Sequence, residues 1–302
     1  MILLWGALHD GPLSEVYNEL QMRSAAMLLI DQANILQSKI ELNLKNRVDA
    51  RIEYMNSMYD SNSFQSAYLR TYDFTQEDNF NITDKSDPLF INALKFEEDM
   101  SIMLEDHPGR IVNPFSKCFS NSSKPYQTDI IRAHGFSVPD TIITSSPEYA
   151  KEFLIRHKKI IYKSISSYRS IVSAITEKEI LRLDEVTWCP TQFQSYVEGN
   201  DFRVHVLDDK IFATKILSSA SDYRYAKDTQ LIDVRLPSWI EEKCFNLSRS
   251  LGLHFSGIDL RNCGNDEWFC FEVNPSPGYT YFSNGTGQNI TAELANFLMN
   301  EK

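Results

Sequence analysis

The 302-residue sequence predicts an α/β (α+β) fold. Three observations predict it. Short apolar runs alternate with helically spaced apolar residues over the first third of the chain. From Thr191 onward, runs of strand length dominate. Near the C-terminus, Ser256-Gly-Ile-Asp-Leu260 and Trp268-Phe-Cys-Phe-Glu-Val-Asn274 read as two buried strands joined by a turn at Gly264-Asn265-Asp266.

The elements follow in order. Residues 2–8 are a buried strand ended by the His9-Asp10-Gly11-Pro12 turn, and Leu13, Val16, Tyr17 and Leu20 mark one face of a helix. Ala25–Ile30 suits a second strand or a helix–strand junction. The polar stretch Gln37–Tyr59 alternates at Ile40, Leu42 and Leu44, as a hairpin would. Phe90–Leu104 has helical spacing in Leu94, Met100 and Leu104, and Asp106–Gly109 ends it. Residues 1–112 are therefore expected to form one α/β domain. Ile111-Val-Asn-Pro114 opens a new region, in which Lys124-Pro-Tyr-Gln-Thr leads into a helix through Ile130, Ile131 and Ala133, stopped by Gly135. Strands are expected at Val138–Thr144 and Lys159–Lys163, with the polar loop Ser164–Ser170 before Ile171–Ile175. Further strands follow at Phe193–Val197, Phe202–Leu207 and Ile211–Ile216, and helices at Glu241–Leu251 and Glu293–Met299.

Composition narrows the function. A hydrophobic fraction of 42% allows one large core or two to three small ones. A net charge of −11 argues against a nucleic-acid partner. No run approaches transmembrane length, so no membrane partner is expected. Met1–Leu8 has no basic leader. Cys118, Cys189, Cys244, Cys263 and Cys270 lack the paired spacing of a zinc site or disulfide framework. Both features point to the cytoplasm.

The C-terminal hairpin carries the chemistry. On a strand, Cys270, Glu272 and Asn274 share one face. With the turn centred near Gly264 and Asn265, Asp259 lies opposite Cys270 and diagonal to Glu272. Two carboxylates and an amide oxygen then converge, with Pro275 and Pro277 ending the strand just beyond. Hard oxygens in small number suit magnesium holding a nucleotide. The plainer alternative is a wet sheet edge, but a like-charged pair amid Phe269, Phe271 and Val273 favours a cation.

Other charged residues are less specific singly. Lys163 ends an apolar strand, where it either reaches ligand phosphates or snorkels to solvent. Lys124 before a helix is by default a surface charge. Asp201, Arg203 and His205 share a strand face that is either a ligand wall or the wet side of a sheet, and His205 is read as structural. Asp222-Tyr-Arg224 lies in a loop, where an ion pair is the default, and Arg70 could meet a carboxylate but is read as a surface arginine. Neither G-x-x-x-x-G-K-[ST] nor G-x-G-x-x-G occurs, so P-loop and Rossmann binding are poorly supported.

Taken in order, Ser123-Lys-Pro-Tyr-Gln, Gly135-Phe-Ser-Val-Pro-Asp-Thr, Ile161-Tyr-Lys163, Gln194-Ser-Tyr-Val-Glu-Gly-Asn-Asp-Phe-Arg203, Asp222-Tyr-Arg224, Gly257-Ile-Asp259 and Phe271-Glu-Val-Asn-Pro-Ser-Pro-Gly278 form one pattern. The chain resembles the ATP-grasp carboxylate–amine ligases, in the RimK-like branch that includes the peptide ligases of microviridin-type (graspetide) biosynthesis. The resemblance runs from about Asn113 to the C-terminus, and the last motif is its most specific part. It implies an ATP-grasp fold: an N-terminal α/β domain (1–112), then a central subdomain (113–190) and a C-terminal subdomain with the metal site (191–302), the last two sandwiching ATP.

By the same resemblance, Lys124 and Lys163 would touch the ATP phosphates, and Gln194, Ser195, Tyr196 and Val197 would form the adenine hinge, largely through backbone groups. Asp201 would lie on the ribose side. Arg224 would face the phosphates and Arg203 the transferring phosphoryl or acyl phosphate, making Arg203, Lys163 and Arg224 the catalytic cations. Asp259, Glu272 and Asn274 would hold Mg2+, with Mn2+ as the other candidate ion. One departure is the loop Ser164-Ile-Ser-Ser-Tyr-Arg-Ser170, where the family usually has glycines.

The implied reaction is ATP-dependent ligation. A carboxylate attacks the γ-phosphate to give an acyl phosphate and ADP, and an amine or hydroxyl then displaces phosphate. A peptide or protein substrate is favoured over a small metabolite, and a homodimer is a family habit. The competing readings are a degenerate, non-catalytic ATP-binding protein and a kinase on the same fold.

Overall fold

Strand β1 (Ile2–Gly6) is buried at every residue, because both faces of its sheet are covered, and it therefore reads as an unbroken apolar run. Helix α1 (Gly11–Met22) follows, its N-terminus capped by Asp10, whose carboxylate accepts from Leu13 N at 3.1 Å. Strand β2 (Met27–Asp31) pairs parallel with β1, so the Ala25–Ile30 segment is a strand. The polar stretch after it makes three antiparallel strands, β3 (Ser38–Leu44), β4 (Val48–Tyr54) and β5 (Ser57–Asp60), one more than a hairpin. Strand β6 (Ser66–Arg70), helix α2 (Pro88–Glu105) and strand β7 (Arg110–Val112) complete a parallel sheet ordered β2-β1-β6-β7. The computed structural model describes residues 1–300 other than 45–47, 165–172, 219–228 and 265.

The chain continues through α3 (Phe115–Cys118), α4 (Lys124–Ala133), β8 (Thr141–Thr144), α5 (Pro147–Arg156), β9 (Ile160–Ser164), β10 (Ser173–Ala174), α6 (Glu177–Ile180) and β11 (Thr191–Ser195). The four strands form an antiparallel sheet, β10-β9-β11-β8. Then come β12 (Asn200–Leu207), β13 (Lys210–Leu217), β14 (Gln230–Val234), α7 (Ser238–Ser250), β15 (Phe255–Asn262), β16 (Trp268–Asn274), α8 (Thr280–Thr286) and α9 (Ile290–Met299). Their sheet is ordered β14-β13-β12-β15-β16, which leaves the Glu272-bearing strand at an edge.

Packing explains how the parts meet. One face of the parallel sheet (Leu3, Trp5, Leu28, Ile30) packs on Phe96, Met100 and Met103 of α2 and on Ile52 of β4. The other face (Ile2, Leu4, Tyr68, Val112) packs on α1 and on Ile290, Leu294 and Leu298 of α9, so the last helix closes the first sheet. Helix α7 covers the inner face of β12, β15 and β16 through Ile240, Cys244 and Leu247. Helix α5 covers one face of the four-stranded sheet through Ala150 and Phe153. Its opposite face, carrying Thr141, Ile143 and Gln192, is turned towards α4 and β16 across a cleft. All five cysteines are free thiols. Among the described residues no helix is long and apolar enough to cross a membrane.

Candidate active site

The site begins at the β15–β16 pair. Asn262 lies opposite Trp268, Arg261 opposite Phe269 and Leu260 opposite Cys270; the register then shifts, and Asp259 faces Glu272 directly. Phe271 is the extra residue of a β-bulge. The expected register, with Asp259 opposite Cys270 and diagonal to Glu272, is thus corrected. The loop 263–267 is one residue longer than an even turn at Gly264-Asn265, and the bulge adds a second step.

The bulge also separates Cys270 from Glu272 and Asn274, which were expected on one face. Cys270 joins Ile258, Leu260 and Val273 in the core under α7, whereas Glu272 and Asn274 stay half-exposed on the other side. Glu272 and Asn274 face Asp259 and Gly257 respectively.

Two like charges directly across a strand pair repel, and two cations offset this. Arg203 Nη1 donates to Asp259 Oδ1 at 2.7 Å, and Lys124 Nζ donates to Glu272 Oε1 at 2.6 Å. Arg203 comes from β12, where Asp259 is its register partner; Lys124 is the first residue of α4. Arg203 is only 6% exposed and crosses over Gly257, where a Cβ would lie 2.6 Å from its Cζ. That face of β12 is therefore no wet surface. His205, next on it, accepts from Arg203 Nε at 3.4 Å and packs against Phe255 and Phe282. Burial, with the Arg203 charge, keeps its imidazole neutral, far below its ordinary pKa, in line with a structural role. Burial likewise raises the Asp259 carboxyl; Arg203 opposes this and Glu272 adds to it.

The donor set fits magnesium. Asp259 Oδ1 and Glu272 Oε1 are engaged by the cations, and Asn274 Oδ1 accepts from Ser276 N at 2.9 Å. Their second carboxylate oxygens, and the second lone pair of the amide, take no other hydrogen bond among the described residues. This leaves three hard oxygens on one face. Among the described residues no group of three or more His, Cys, Asp or Glu side chains could hold a metal, so the candidate is two carboxylates plus an amide.

The cleft beside this trio has a volume of about 780 Å³, within the range of small-molecule sites, and is lined by Lys124, Phe136, Val138, Thr141, Gln192 and Phe269. Lys163 lies opposite Gln192 on the neighbouring strand, which puts it on the cleft's side of the sheet. Gln192 is 4% exposed, and its Oε1 has no partner among the described residues.

At the end of β11, Gln194 Nε2 donates to Thr141 Oγ1 at 3.0 Å, and Ser195 N and Tyr196 N donate to Asp140 O and Lys159 O, both at 2.9 Å. The Val197 carbonyl accepts from Arg261 Nη1 at 2.5 Å. Tyr196 C=O and Val197 N–H take no hydrogen bond among the described residues, so an acceptor and a donor stand side by side. Asp201 receives a bidentate pair from Arg261 at 2.6 and 2.8 Å, and Arg261 also lies over the Tyr196 and Phe271 rings. Arg224, with Asp222 and Tyr223, lies outside the described residues, as do residues 165–170 of the glycine-free loop.

Several site neighbours escaped the sequence reading. Arg70 is corrected outright: it is 5% exposed and paired with Asp10, not a surface residue. Arg261, Asn113 and Gln127 drew no attention singly, although Gln127 stands three residues after Lys124 and so shares its helix face.

Residues 122–298 match the model of the RimK-like ATP-grasp domain. The chain belongs to that family. Its residues 122–298 are accordingly a RimK-like ATP-grasp domain. Its fold is similar to that of the macrocyclase MdnC of Microcystis aeruginosa MRC, solved with the precursor peptide MdnA: 18% identity, TM-score 0.83, 99% of each chain covered. It is also similar to the ATP-grasp ligase PsnB, solved with a phosphomimetic variant of its minimal precursor, Mg and ADP: 20% identity, TM-score 0.80, 99% of this chain and 97% of that one. At these identities the likeness shows the fold. N-acetylaspartylglutamate synthase A of Homo sapiens is 22% identical over 225 residues, 69% of this chain. The chain spans about half the length of that curated relative, 55%.

Proposed function

We propose that this RimK-like chain activates a carboxylate of a peptide or protein as an acyl phosphate and joins it to an amine or hydroxyl. The observation that carries this reading is the meeting of Asp259, Glu272 and Asn274 with Arg203 and Lys124 beside a nucleotide-sized cleft. Tyr196 C=O and Val197 N–H offer the acceptor and donor that an adenine edge requires. Lys124, Lys163 and Arg224 would bind the phosphates. A magnesium ion held by Asp259, Glu272 and Asn274 would neutralise phosphate charge.

The carboxylate oxygen attacks the γ-phosphorus, the bond to the β-phosphate oxygen breaks, and ADP leaves. Charge moves onto the transferring phosphoryl oxygens. Arg203, fixed in a buried position by Asp259 and His205, stabilises it without reorganising. The amine or hydroxyl then attacks the acyl carbon and inorganic phosphate departs with both bonding electrons. The central and C-terminal parts (113–190 and 191–302) would close on ATP, with residues 1–112 selecting the substrate. The peptide assignment is supported by likeness to MdnC and PsnB across 99% of this chain, its first third included.

The test is ADP release on a panel of acidic peptides carrying lysine, serine or threonine, with products weighed by mass spectrometry. An intramolecular product lighter by one water per bond is expected. A stable product heavier by a phosphoryl group would instead make the protein a kinase. Nucleotide binding with no ADP release on any peptide or metabolite carboxylate would make it a non-catalytic binder.

A further inference from the structure

Strand β16 is an edge strand, and the segment after it, Pro275-Ser-Pro277, has two prolines without N–H groups. Such a segment cannot be held by strand pairing. Buried side chains hold it instead, each from a different part of the chain. Gln127 of α4 treats Val273 as a strand partner would: its Nε2 donates to Val273 O at 2.8 Å, and its Oε1 accepts from Val273 N at 3.0 Å. Asn113, following β7, donates through Nδ2 to Pro275 O and to Phe255 O, both at 2.6 Å, and accepts through Oδ1 from His254 N and Phe255 N. Arg70, at the end of β6, donates through Nη1 to Ser276 Oγ at 2.6 Å and to Pro277 O at 3.3 Å.

All three are buried. They are 5% (Arg70), 5% (Asn113) and 1% (Gln127) exposed. The remaining Arg70 N–H groups go to both oxygens of Asp10, at 2.8 Å each, and to Tyr72 Oη at 3.1 Å, so all five donors are used. Asp10 is itself the N-cap of α1, which ties the first helix to the segment through one guanidinium.

The held residues flank the candidate metal ligands. Val273 lies between Glu272 and Asn274, and Ser276 N bonds Asn274 Oδ1. Helix α4 grips consecutive residues, Glu272 through Lys124 and Val273 through Gln127.

We propose that Arg70, Asn113 and Gln127 are positioning residues that fix the aim of Glu272 and Asn274, so that the N-terminal sheet and helix α4 together set the metal affinity of the C-terminal hairpin. The proposal rests on the reading of Glu272 and Asn274 as metal ligands. Partners that orient a metal's ligands are worth about 10- to 100-fold in affinity. Arg70→Lys keeps the charge facing Asp10 but not the fork that spans Asp10, Ser276 and Pro277. Ser276→Ala, at an exposed position, removes a single bond without touching Asp10.

The experiment is an EPR titration of Mn2+ against protein saturated with an ATP analogue, alongside binding of the same analogue in EDTA. Wild type, Arg70→Lys, Gln127→Leu, Ser276→Ala and Glu272→Ala are compared well below their melting temperatures. Arg70→Lys and Gln127→Leu are expected to raise the Mn2+ dissociation constant about 10-fold or more, and Ser276→Ala roughly three- to tenfold, with metal-free analogue binding unchanged. If Glu272→Ala weakens Mn2+ binding and the other variants match wild type, the positioning role is wrong and the ligand reading stands. If Glu272→Ala leaves Mn2+ binding intact, the ligand reading fails and takes the proposal with it. Should Arg70→Lys or Gln127→Leu not fold, Ser276→Ala decides alone.

Discussion

Gly257→Ala should cost far more than one methyl group, because the methyl would enter the space of Arg203. An added Cβ lies 2.6 Å from Arg203 Cζ and 2.8 Å from Pro277 Cβ. The guanidinium must then leave Asp259 Oδ1, now at 2.7 Å, while remaining in a place where it is only 6% exposed. Breaking a fully buried ion pair costs about 3–5 kcal/mol, and losing a charged hydrogen bond about 1.5–3 kcal/mol. The Asp259 side chain keeps 36% of its exposure, so water recovers part of the loss. An estimate of roughly 2–3 kcal/mol follows, about 3–5 °C in melting temperature for a chain of 302 residues. The assay is a double-mutant cycle with Arg203→Ala, read by denaturant unfolding. With Arg203 gone the contact with Pro277 Cβ at 2.8 Å remains, so Gly257→Ala should still destabilise, but by less than in the wild-type background. An equal cost in both backgrounds, or none in either, would refute the reasoning.

Other expectations are as direct. Burial raises the Glu97 carboxyl to about 7, against the pull of its hydrogen bond from Gln32. The folded state therefore holds this proton more tightly, so its contribution is complete below the ordinary glutamate value and is lost as pH rises through about 7. Glu97→Gln should flatten that decline between pH 5 and 8 and stabilise the protein at pH 8; parallel unfolding curves would contradict this. For Asp10, burial pushes the carboxyl up, but the hydrogen bonds and charge of Arg70, with Tyr72, bring it below its ordinary value. Its contribution is thus present above the ordinary aspartate range and lost as pH falls through the lowered value. Asp10→Asn should destabilise by about 3 kcal/mol at pH 7, with the gap to wild type closing as pH falls through the lowered value. Met100, fully buried against the first sheet, should cost about 2–5 kcal/mol as alanine in denaturant unfolding. If Lys163 contacts the phosphates as proposed, Lys163→Met should weaken an ATP analogue about tenfold or more by calorimetry; unchanged affinity would remove it from the site.

Much of the fold is written in local pattern. The first strand is legible because a strand buried on both faces must be apolar throughout, and α2 because eighteen residues allow several turns of repeat. Helix α5 is not, since only Pro147, Ala150 and Phe153 of its ten residues are buried. The candidate metal trio is legible in residue type and order, but not in register. Alternation through Trp268 and Cys270 gives no sign that Phe271 will bulge and turn Cys270 to the core. Arg70 illustrates the harder limit. A lone arginine carries no mark of burial, because its partners Asp10, Ser276 and Pro277 are 60 residues before it and more than 200 after it. Gln127 and Asn113 are similar: polar residues whose importance comes from backbone groups about 140–160 residues away.

The central claim is that Asp259, Glu272 and Asn274 hold a metal–nucleotide complex. The most direct measurement is the melting-temperature shift given by a non-hydrolysable ATP analogue, with and without Mg2+, for wild type and Glu272→Ala. A ligand that binds only the native state must raise the melting temperature. A magnesium-dependent rise is expected in the wild type, collapsing in the variant. No rise in the wild type at millimolar analogue, or the same rise in both proteins, would contradict the claim.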